Sequence, residues 1–153
     1  MAIHCRPWAK DMATEIPEIP LNQEYRKVFR VESEHSAKHV GSGEVEVLST
    51  PSMILFMEMT ALEYAQKYLP PEYTTVGTRV DVRHTNPAPV GAEIEVVAKL
   101  VSREGRKLVF EVKALWGDLV IGEGIHERYI VHRERFLEKV RKLIESRTKK
   151  ERS

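Results

Sequence analysis

Residues 50–69 read TPSMILFMEMTALEYAQKYL, and the organisation of the chain follows from this segment. Thr50 carries a hydroxyl that suits a helix N-cap, and Pro51 suits the first helical position. The pair Pro70-Pro71 cannot continue a helical hydrogen-bond ladder, so we expect the helix to end at Leu69. At about 1.5 Å per residue the helix would be roughly 30 Å long, which is the width of a small domain.

Residues 53–57 are apolar on every side of this helix rather than along one stripe, which predicts a buried helix. A membrane-spanning helix is the alternative. Glu58, Glu63 and Lys67 interrupt the apolar run well short of the roughly 18 uncharged residues that a spanning segment needs. We therefore expect a helix in the core of a globular domain, and no membrane partner.

Alternation of apolar and polar residues, typical of strands, occurs on both sides of the helix. It covers residues 24–31 and 39–48 before the helix, and residues 74–84, 92–103, 107–116 and 119–132 after it. Glu104-Gly105 and Gly117-Asp118 are turn signals that predict antiparallel hairpins. A second helix is predicted over residues 134–149, where apolar residues recur at helical spacing.

This order of elements leaves an antiparallel sheet with one face that must be covered. The central helix is the only segment large and apolar enough to cover it. We therefore predict an α+β hot-dog fold, in which a curved antiparallel sheet wraps around one long central helix, plus a C-terminal helix. The helix is apolar all round, which predicts that a second copy covers its other side, as in a homodimer or a higher oligomer.

The chain divides into three parts by composition. Residues 1–20 mix charges and prolines without periodicity and are expected to form a poorly ordered N-terminal tail; residues 21–133 form the hot-dog domain. Residues 134–153 form a basic C-terminal helix: residues 133–153 hold nine Lys or Arg against four Glu, a net charge of +5. These charges form either one solvated helix face or a surface that attracts an anionic ligand such as a phosphorylated cofactor.

Composition excludes several classes of function. A net charge of +1 gives no global field for nucleic acid. The single cysteine, Cys5, excludes a disulfide framework within the chain and a cysteine-based zinc site, and it favours a reducing cytoplasm. The six histidines show no metal-ligand spacing, so no metal and no redox cofactor are expected.

Three polar residues stand where a buried core would not place them. Thr50 lies at the start of the central helix, where free N–H groups can hold an anion or an oxyanion, unless it is only a cap. Glu58 follows the most apolar run and is either a paired carboxylate or a general base or nucleophile. His84 ends its strand on the core-side face with Val80 and Val82. Eight residues place Glu58 roughly 12 Å along the axis from Thr50, too far for a shared hydrogen bond.

The combined pattern resembles the fluoroacetyl-CoA thioesterase family of hot-dog proteins. The likeness covers residues 49–131 and is carried by four segments: TPSMILFMEMTALEYAQKYLP, TTVGTRVDVRHTNPAPVG, EGRKLVFEVKA and IGEGIHER. The resemblance implies that the catalytic threonine, glutamate and histidine of the family are Thr50, Glu58 and His84. It also implies that Gly77 lies near the thioester carbonyl and Arg128 near the acyl pocket.

The activity implied by the resemblance is hydrolysis of a small or medium acyl-CoA to the carboxylic acid and CoA, with CoA as part of the substrate and no other cofactor. His84 would activate Thr50 or a water, and Glu58 would orient His84 or attack the acyl group itself. The phosphates of CoA need cations, for which Arg79, Arg83, Arg128 and the basic C-terminal helix are candidates. Because Thr50 and Glu58 are far apart, we expect a site completed across a dimer interface.

Two features bear on the substrate and on rival functions. The namesake enzyme has an aromatic lid before its catalytic threonine, whereas residues 34–49 contain no Phe, Tyr or Trp, which argues against selectivity for a fluorinated acyl group. A non-catalytic acyl-CoA-binding dimer is the alternative from another class. An acyl-CoA hydratase or dehydratase is less favoured, because Asp81 and His84 are three residues apart and lie on opposite strand faces.

Overall fold

The computed structural model describes residues 16–152, so Cys5 and residues 1–15 of the predicted tail lie outside the described residues. The elements, in chain order, are β1 (Glu24–Arg30), a short 3-10 helix (Ser33–His35), α1 (Ala37–Val40), α2 (Thr50–Gln66), β2 (Tyr73–His84), β3 (Glu93–Glu104), β4 (Lys107–Trp116), β5 (Leu119–His132) and α3 (Arg133–Arg152).

The five strands form one antiparallel sheet in the order β1-β3-β4-β5-β2. The predicted hairpins are confirmed: Gly105 and Gly117, at the β3–β4 and β4–β5 turns, have φ of 60° and 61°, which glycine adopts at little cost. Helix α2 contacts all five strands. A straight helix reaches all five only if the sheet curves around it, so the predicted hot-dog architecture is confirmed.

The core lies between α2 and the inner face of the sheet. Met53, Phe56 and Met57 of α2 are almost completely buried, and the ring of Phe56 stacks on Phe29 of β1 at a centroid distance of 4.4 Å. Burial of a large apolar side chain contributes about 2 kcal/mol, so this contact face dominates the stability of the domain. The opposite side of α2 is not covered by residues 16–152: Leu55 is 47% exposed and Met59 is 40% exposed.

The predicted strand over residues 39–48 is wrong. The Ser36 side chain accepts a hydrogen bond from the His39 N–H and starts the one-turn helix α1, which ends at Gly41 with φ of 80°. The chain then forms two isolated β-bridges, Ser36 with Leu48 and Val47 with Pro89, and neither of them pairs it with a strand of the sheet. The alternation in this segment has no neighbouring strand to pair with, and Val45 is 65% exposed. Within residues 16–152, the sheet therefore has one strand before α2 rather than two.

Strand β2 contains a β-bulge directly after Gly77, which shifts the alternation of its side chains. Gly77 pairs with Arg128 and Arg79 pairs with Glu127, so Thr78 is the extra residue. Tyr73 and Thr75 are therefore buried before the bulge, whereas the even-numbered residues face the helix after it. Regular alternation along residues 74–84 would place Thr78 on the same face as Val80, but the inserted residue shifts the alternation by one.

The two ends of the described chain differ in how they pack. Ile16 and Ile19 are buried in the core, although the sequence groups them with the tail. Helix α3 buries none of its residues and extends the predicted helix at both ends. It is attached to the domain at its first residue, because the Arg133 N–H bonds to the Glu72 carbonyl.

Candidate active site

At the N-terminus of α2, the side chain of Thr50 does not cap the helix. The Ser49 hydroxyl, not that of Thr50, accepts the Ser52 N–H at 3.0 Å and is the N-cap, so the predicted capping role of Thr50 is wrong. Pro51 has no N–H, and Met53 donates its N–H to the Ser49 carbonyl. Among residues 16–152, this leaves the Thr50 N–H as a donor of the first turn without an acceptor.

The Thr50 hydroxyl is hydrogen-bonded to His84, with 2.8 Å between Oγ1 and Nδ1. Gly122, the β5 partner of His84, makes this approach possible. A Cβ on Gly122 would stand 2.5 Å from the sulfur of Met53 and 2.7 Å from the Arg83 carbonyl, so the missing side chain leaves room for the first turn of α2 against the sheet.

An open pocket of about 260 Å³ surrounds this pair; its lining residues are Val47, Leu48, Thr50, His84, Thr85, Asn86 and Pro87. The part of the pocket wall formed by Thr85 and Asn86 is bonded to β5. The Asn86 amide donates to the Val120 carbonyl at 2.7 Å, and the Thr85 N–H donates to the Ile121 carbonyl. The pocket is large enough for a small acyl group and its thioester.

The partial burial of His84 lowers its pKa below the ordinary value for histidine, and a backbone hydrogen bond with Asn86 acts in the opposite direction. A lowered pKa keeps the imidazole neutral near pH 7, which is the form that accepts a proton. A neutral imidazole at hydrogen-bond distance from a hydroxyl is able to accept the proton of that hydroxyl, which is the chemistry of a general base.

Glu58 belongs to a second cluster, further along α2. Its Oε2 lies 2.7 Å from the position that a Cβ on Gly77 would occupy, so the missing side chain is what lets the carboxylate approach β2. Nη1 of Arg128 lies 3.4 Å from the same position. The structure thus brings Glu58, Gly77 and Arg128 together, as the resemblance implies.

Arg128 is 5% exposed and is held by three hydrogen bonds. Its Nε donates to the Thr75 hydroxyl at 2.7 Å, its Nη2 donates to the Thr75 carbonyl at 3.0 Å, and its Nη1 lies 3.1 Å from Nε2 of His126. These bonds use one N–H on each nitrogen, so Nη1 and Nη2 each keep a second N–H. Burial lowers the pKa of Arg128, while the charge of Glu58 raises it.

Sequence reasoning missed the Thr75 and His126 side chains. The signal for His126 was present, because residues 126 and 128 of a strand share a face, and Arg128 had been placed near the acyl pocket. Thr75 could be placed only with the β-bulge known, since the shifted alternation decides which β2 residues face inward.

The structure does not bring all the predicted residues together in one chain. Gly77 and His84 are seven residues apart on β2, or roughly 23 Å at the usual rise of a strand. No hydrogen bond joins Glu58 to Thr50 or His84 within residues 16–152. One chain therefore holds two half-sites, one built on Thr50 and His84 and the other on Glu58, Gly77 and Arg128.

Neither a metal centre nor a membrane span is evident in the described part of the chain. Residues 16–152 contain no group of three or more His, Cys, Asp or Glu arranged to hold a metal ion. None of the helices in the same range is both long and apolar enough to cross a membrane.

Comparison with known proteins identifies close relatives. The family model for FlK, the fluoroacetyl-CoA-specific thioesterase, matches residues 31–134. The fluoroacetyl-CoA thioesterase of Streptantibioticus cattleyicolor is 41% identical over 96 residues, which are 63% of this chain and 69% of that protein. Both half-sites lie within the range that the family model matches.

Solved structures agree with this assignment. A structure of the fluoroacetyl-CoA thioesterase FlK matches with a TM-score of 0.77 at 33% identity, over 82% of this chain and 98% of that one. A variant of FlK in complex with fluoroacetate and CoA matches with a TM-score of 0.73 at 32% identity, over 76% and 98%. A thioesterase superfamily member from Thermus thermophilus matches with a TM-score of 0.77 at 27% identity, over 84% and 96%.

Proposed function

Because the chain belongs to the fluoroacetyl-CoA-specific thioesterase family and is an acyl-CoA thioester hydrolase, we propose that its reaction is carried by Thr50, His84 and Glu58 on a small or medium acyl group. Water and acyl-CoA give the carboxylic acid and free CoA. The observation that carries the proposal is the 2.8 Å hydrogen bond between the Thr50 hydroxyl and Nδ1 of His84.

His84 takes the hydroxyl proton as Thr50 Oγ1 attacks the thioester carbonyl carbon. This requires an unprotonated Nδ1, so the neutral ring carries its proton on Nε2. The Thr50 N–H, which has no acceptor among the described residues, donates to the developing oxyanion. The C–S bond then breaks, His84 protonates the departing thiolate, and a water activated by His84 hydrolyses the acyl-threonine ester.

The acyl group also contacts a second cluster, on the side away from Thr50 and His84. This cluster is formed by Glu58, Gly77 and Arg128. Gly77 has no side chain and so lets the Glu58 carboxylate approach β2, and Arg128 offers its two remaining N–H groups there. Glu58 supplies a negative charge that stabilises the imidazolium formed on His84 during the reaction. This role needs Glu58 near His84, which one chain alone does not provide.

A homodimer formed along β2 joins the two half-sites. Strand β2 is at the edge of the sheet, and the edge strand of a second copy pairs with it readily. Antiparallel pairing around Val80 places Gly77 of one copy opposite residue 83 of the other, next to the partner's His84. The same contact covers apolar surface that is exposed in the single chain, including Leu55, Met59 and Val80.

The acyl group is not restricted to fluoroacetyl. Residues 34–49 form α1 and irregular loops without Phe, Tyr or Trp, so they offer no aromatic cover for a fluorinated group. Arg83 is exposed beside His84 and forms no ion pair among the described residues, which favours it as a contact for CoA phosphate. Arg79 is less suitable because Asp81 and Glu127 already pair with it.

Two further proposals rest on the sequence. The single cysteine favours a reducing, cytoplasmic location. No cofactor beyond the CoA of the substrate takes part in the steps above.

The hydratase alternative is not supported by the contacts of Asp81, which is exposed and pairs with Arg79 rather than with His84.

A panel of acyl-CoA substrates tests the activity. Acetyl-, butyryl-, hexanoyl- and fluoroacetyl-CoA are incubated with the enzyme, and released thiol is measured with a chromogenic reagent. We expect hydrolysis of at least one unfluorinated substrate and no marked preference for fluoroacetyl-CoA. Binding of CoA without hydrolysis of any substrate would instead support the non-catalytic binder.

Mixing two inactive variants tests the shared site. Thr50→Ala and Glu58→Gln are co-expressed with different affinity tags, and dimers carrying both tags are isolated. If each site combines Thr50 of one copy with Glu58 of the other, a mixed dimer has one intact site and recovers about half of the wild-type activity per dimer. A site contained in one chain gives no recovery, because each copy then lacks one essential residue.

A further inference from the structure

His126 is a deeply buried titratable side chain beside Arg128, with 1% of its surface exposed, and the reaction described above does not use it. It lies on β5 opposite Val80 and shares the inner face of the sheet with Arg128. A histidine in such a position is costly to bury unless its polar atoms are bonded.

Two hydrogen bonds fix the tautomer of His126. Nδ1 lies 2.8 Å from the backbone carbonyl of Arg79, and a carbonyl only accepts, so Nδ1 carries the proton. Nε2 lies 3.1 Å from Nη1 of Arg128, and a guanidinium only donates, so Nε2 is unprotonated. The ring is therefore neutral and connects the backbone just after the β-bulge to the guanidinium.

We propose that neutral His126 is a positioning residue, which holds the Arg128 guanidinium beside Gly77 and Glu58 by accepting its Nη1–H. Thr75 holds only one edge of the guanidinium, through Nε and Nη2. With those two bonds alone the plane can still rotate about that edge. The bond to His126 is the third point of support, and it directs the remaining N–H groups of Arg128.

The groups around His126 favour this state. Burial and the charge of Arg128 lower its pKa, while the Arg79 carbonyl on β2 and the carboxylates of Glu58 on α2 and Glu127 on β5 raise it; burial is the largest of these effects and the pKa is lowered overall. Its β4 neighbour, Phe110, is apolar and buried. Protonation of His126 would place an N–H on Nε2, opposite the Nη1–H of Arg128, and would bring two positive charges together. The hydrogen bond that holds Arg128 would then be lost.

The inference rests on the proposed role of Arg128 at the acyl site, and a double-mutant cycle tests it. His126→Phe removes both hydrogen bonds, His126→Gln keeps a donor and an acceptor, and Arg128→Met removes the guanidinium. We expect His126→Phe to lower kcat/KM by ~10-fold or more, His126→Gln to recover most of the loss, and His126→Phe to have no further effect in the Arg128→Met background. His39→Phe, at an exposed site on α1, is the control for a histidine-to-phenylalanine change.

Additive losses in the cycle, or full activity of His126→Phe, would overturn the proposal. Histidine NMR gives a readout that does not depend on activity. We expect the His126 ring to be the Nδ1–H tautomer, with a protonation midpoint that rises in Arg128→Met because a neighbouring positive charge is lost. An Nε2–H tautomer, or a midpoint unchanged by Arg128→Met, would contradict the link. If the wild-type protein hydrolyses no acyl-CoA, the proposed function fails and the NMR measurement decides this inference alone.

Discussion

Thr50 and His84, which are 34 residues apart in sequence, meet at 2.8 Å because two neighbouring positions leave them free to do so. Ser49 takes the capping role at the start of α2, and Gly122 lets that first helical turn approach the sheet. The pair is therefore a product of the local packing, and the contributions of cap and nucleophile can be separated by mutation.

Ser49→Ala and Thr50→Val form a matched pair. Ser49→Ala removes the N-cap and is expected to lower the free energy of unfolding by about 1 kcal/mol while kcat changes little. Thr50→Val keeps the volume and the cap but removes the hydroxyl, so kcat falls and stability changes little. Urea unfolding and steady-state thiol release measure the two effects. A large loss of stability in Thr50→Val would assign the cap to Thr50 after all.

His84→Ala is expected to lower kcat by ~10²-fold or more, since the proton of Thr50 then has no acceptor at hydrogen-bond distance. The measurement is hydrolysis of the best substrate of the acyl-CoA panel. His39→Ala, in the exposed α1, is the control and keeps wild-type activity. Wild-type kcat in His84→Ala would remove His84 from the mechanism.

The pH profile follows from the lowered pKa of His84. The base must be neutral, so kcat/KM is full above this pKa and falls as pH drops through it. Because burial is the main cause of the shift, the acid midpoint is expected below about 6.5, the ordinary value for histidine. A profile between pH 4.5 and 8 locates it. A midpoint above the ordinary value would mean that another group controls the acid limb.

Gly77 and Gly124 separate a requirement of the site from a requirement of the fold. In Gly77→Ala the new Cβ meets Oε2 of Glu58 at 2.7 Å, which is the movable end of a side chain, so we expect lower kcat with a nearly unchanged Tm. In Gly124→Ala the new Cβ meets the Asp81 carbonyl at 2.1 Å, which is backbone of the paired strand. That variant is expected to lose Tm strongly. Equal loss of Tm in both would show that Glu58 cannot move.

The sequence predicted those elements whose signals are local. The proline at the start of α2, the proline pair beyond its end and the glycine turns of the two hairpins act within a few residues. The hairpins and the start of the helix were placed correctly, whereas the helix ends at Gln66 rather than at the predicted Leu69. The extra strand over residues 39–48 was wrong because alternation shows only that a segment could pair. Whether a neighbouring strand is present is a property of the whole fold.

The site was predicted in part for a similar reason. Thr50 and Ser49 both carry hydroxyls that suit an N-cap, and composition alone does not choose between them. Arg128 was named through the resemblance, whereas His126 and Thr75, which hold it, depend on the register of β2 against β5. That register includes the bulge at Thr78, which the sequence marks only through the neighbouring Gly77, and a glycine inside a strand indicates either a bulge or a close backbone approach.

Helix α3 is expected to be dispensable for the fold of the domain. None of its residues is buried, and Leu137 and Ile144 are 54% and 59% exposed, so its removal costs the core little apolar contact. A chain ending at Arg133 keeps the hydrogen bonds of that residue to the Glu72 and Pro71 carbonyls. We expect its Tm to differ from the full-length value by only a few degrees. This is the shift that a change of about 1 kcal/mol in the free energy of unfolding produces. Calorimetry of the two chains measures this, and a cooperative transition lost on truncation would show that α3 belongs to the domain.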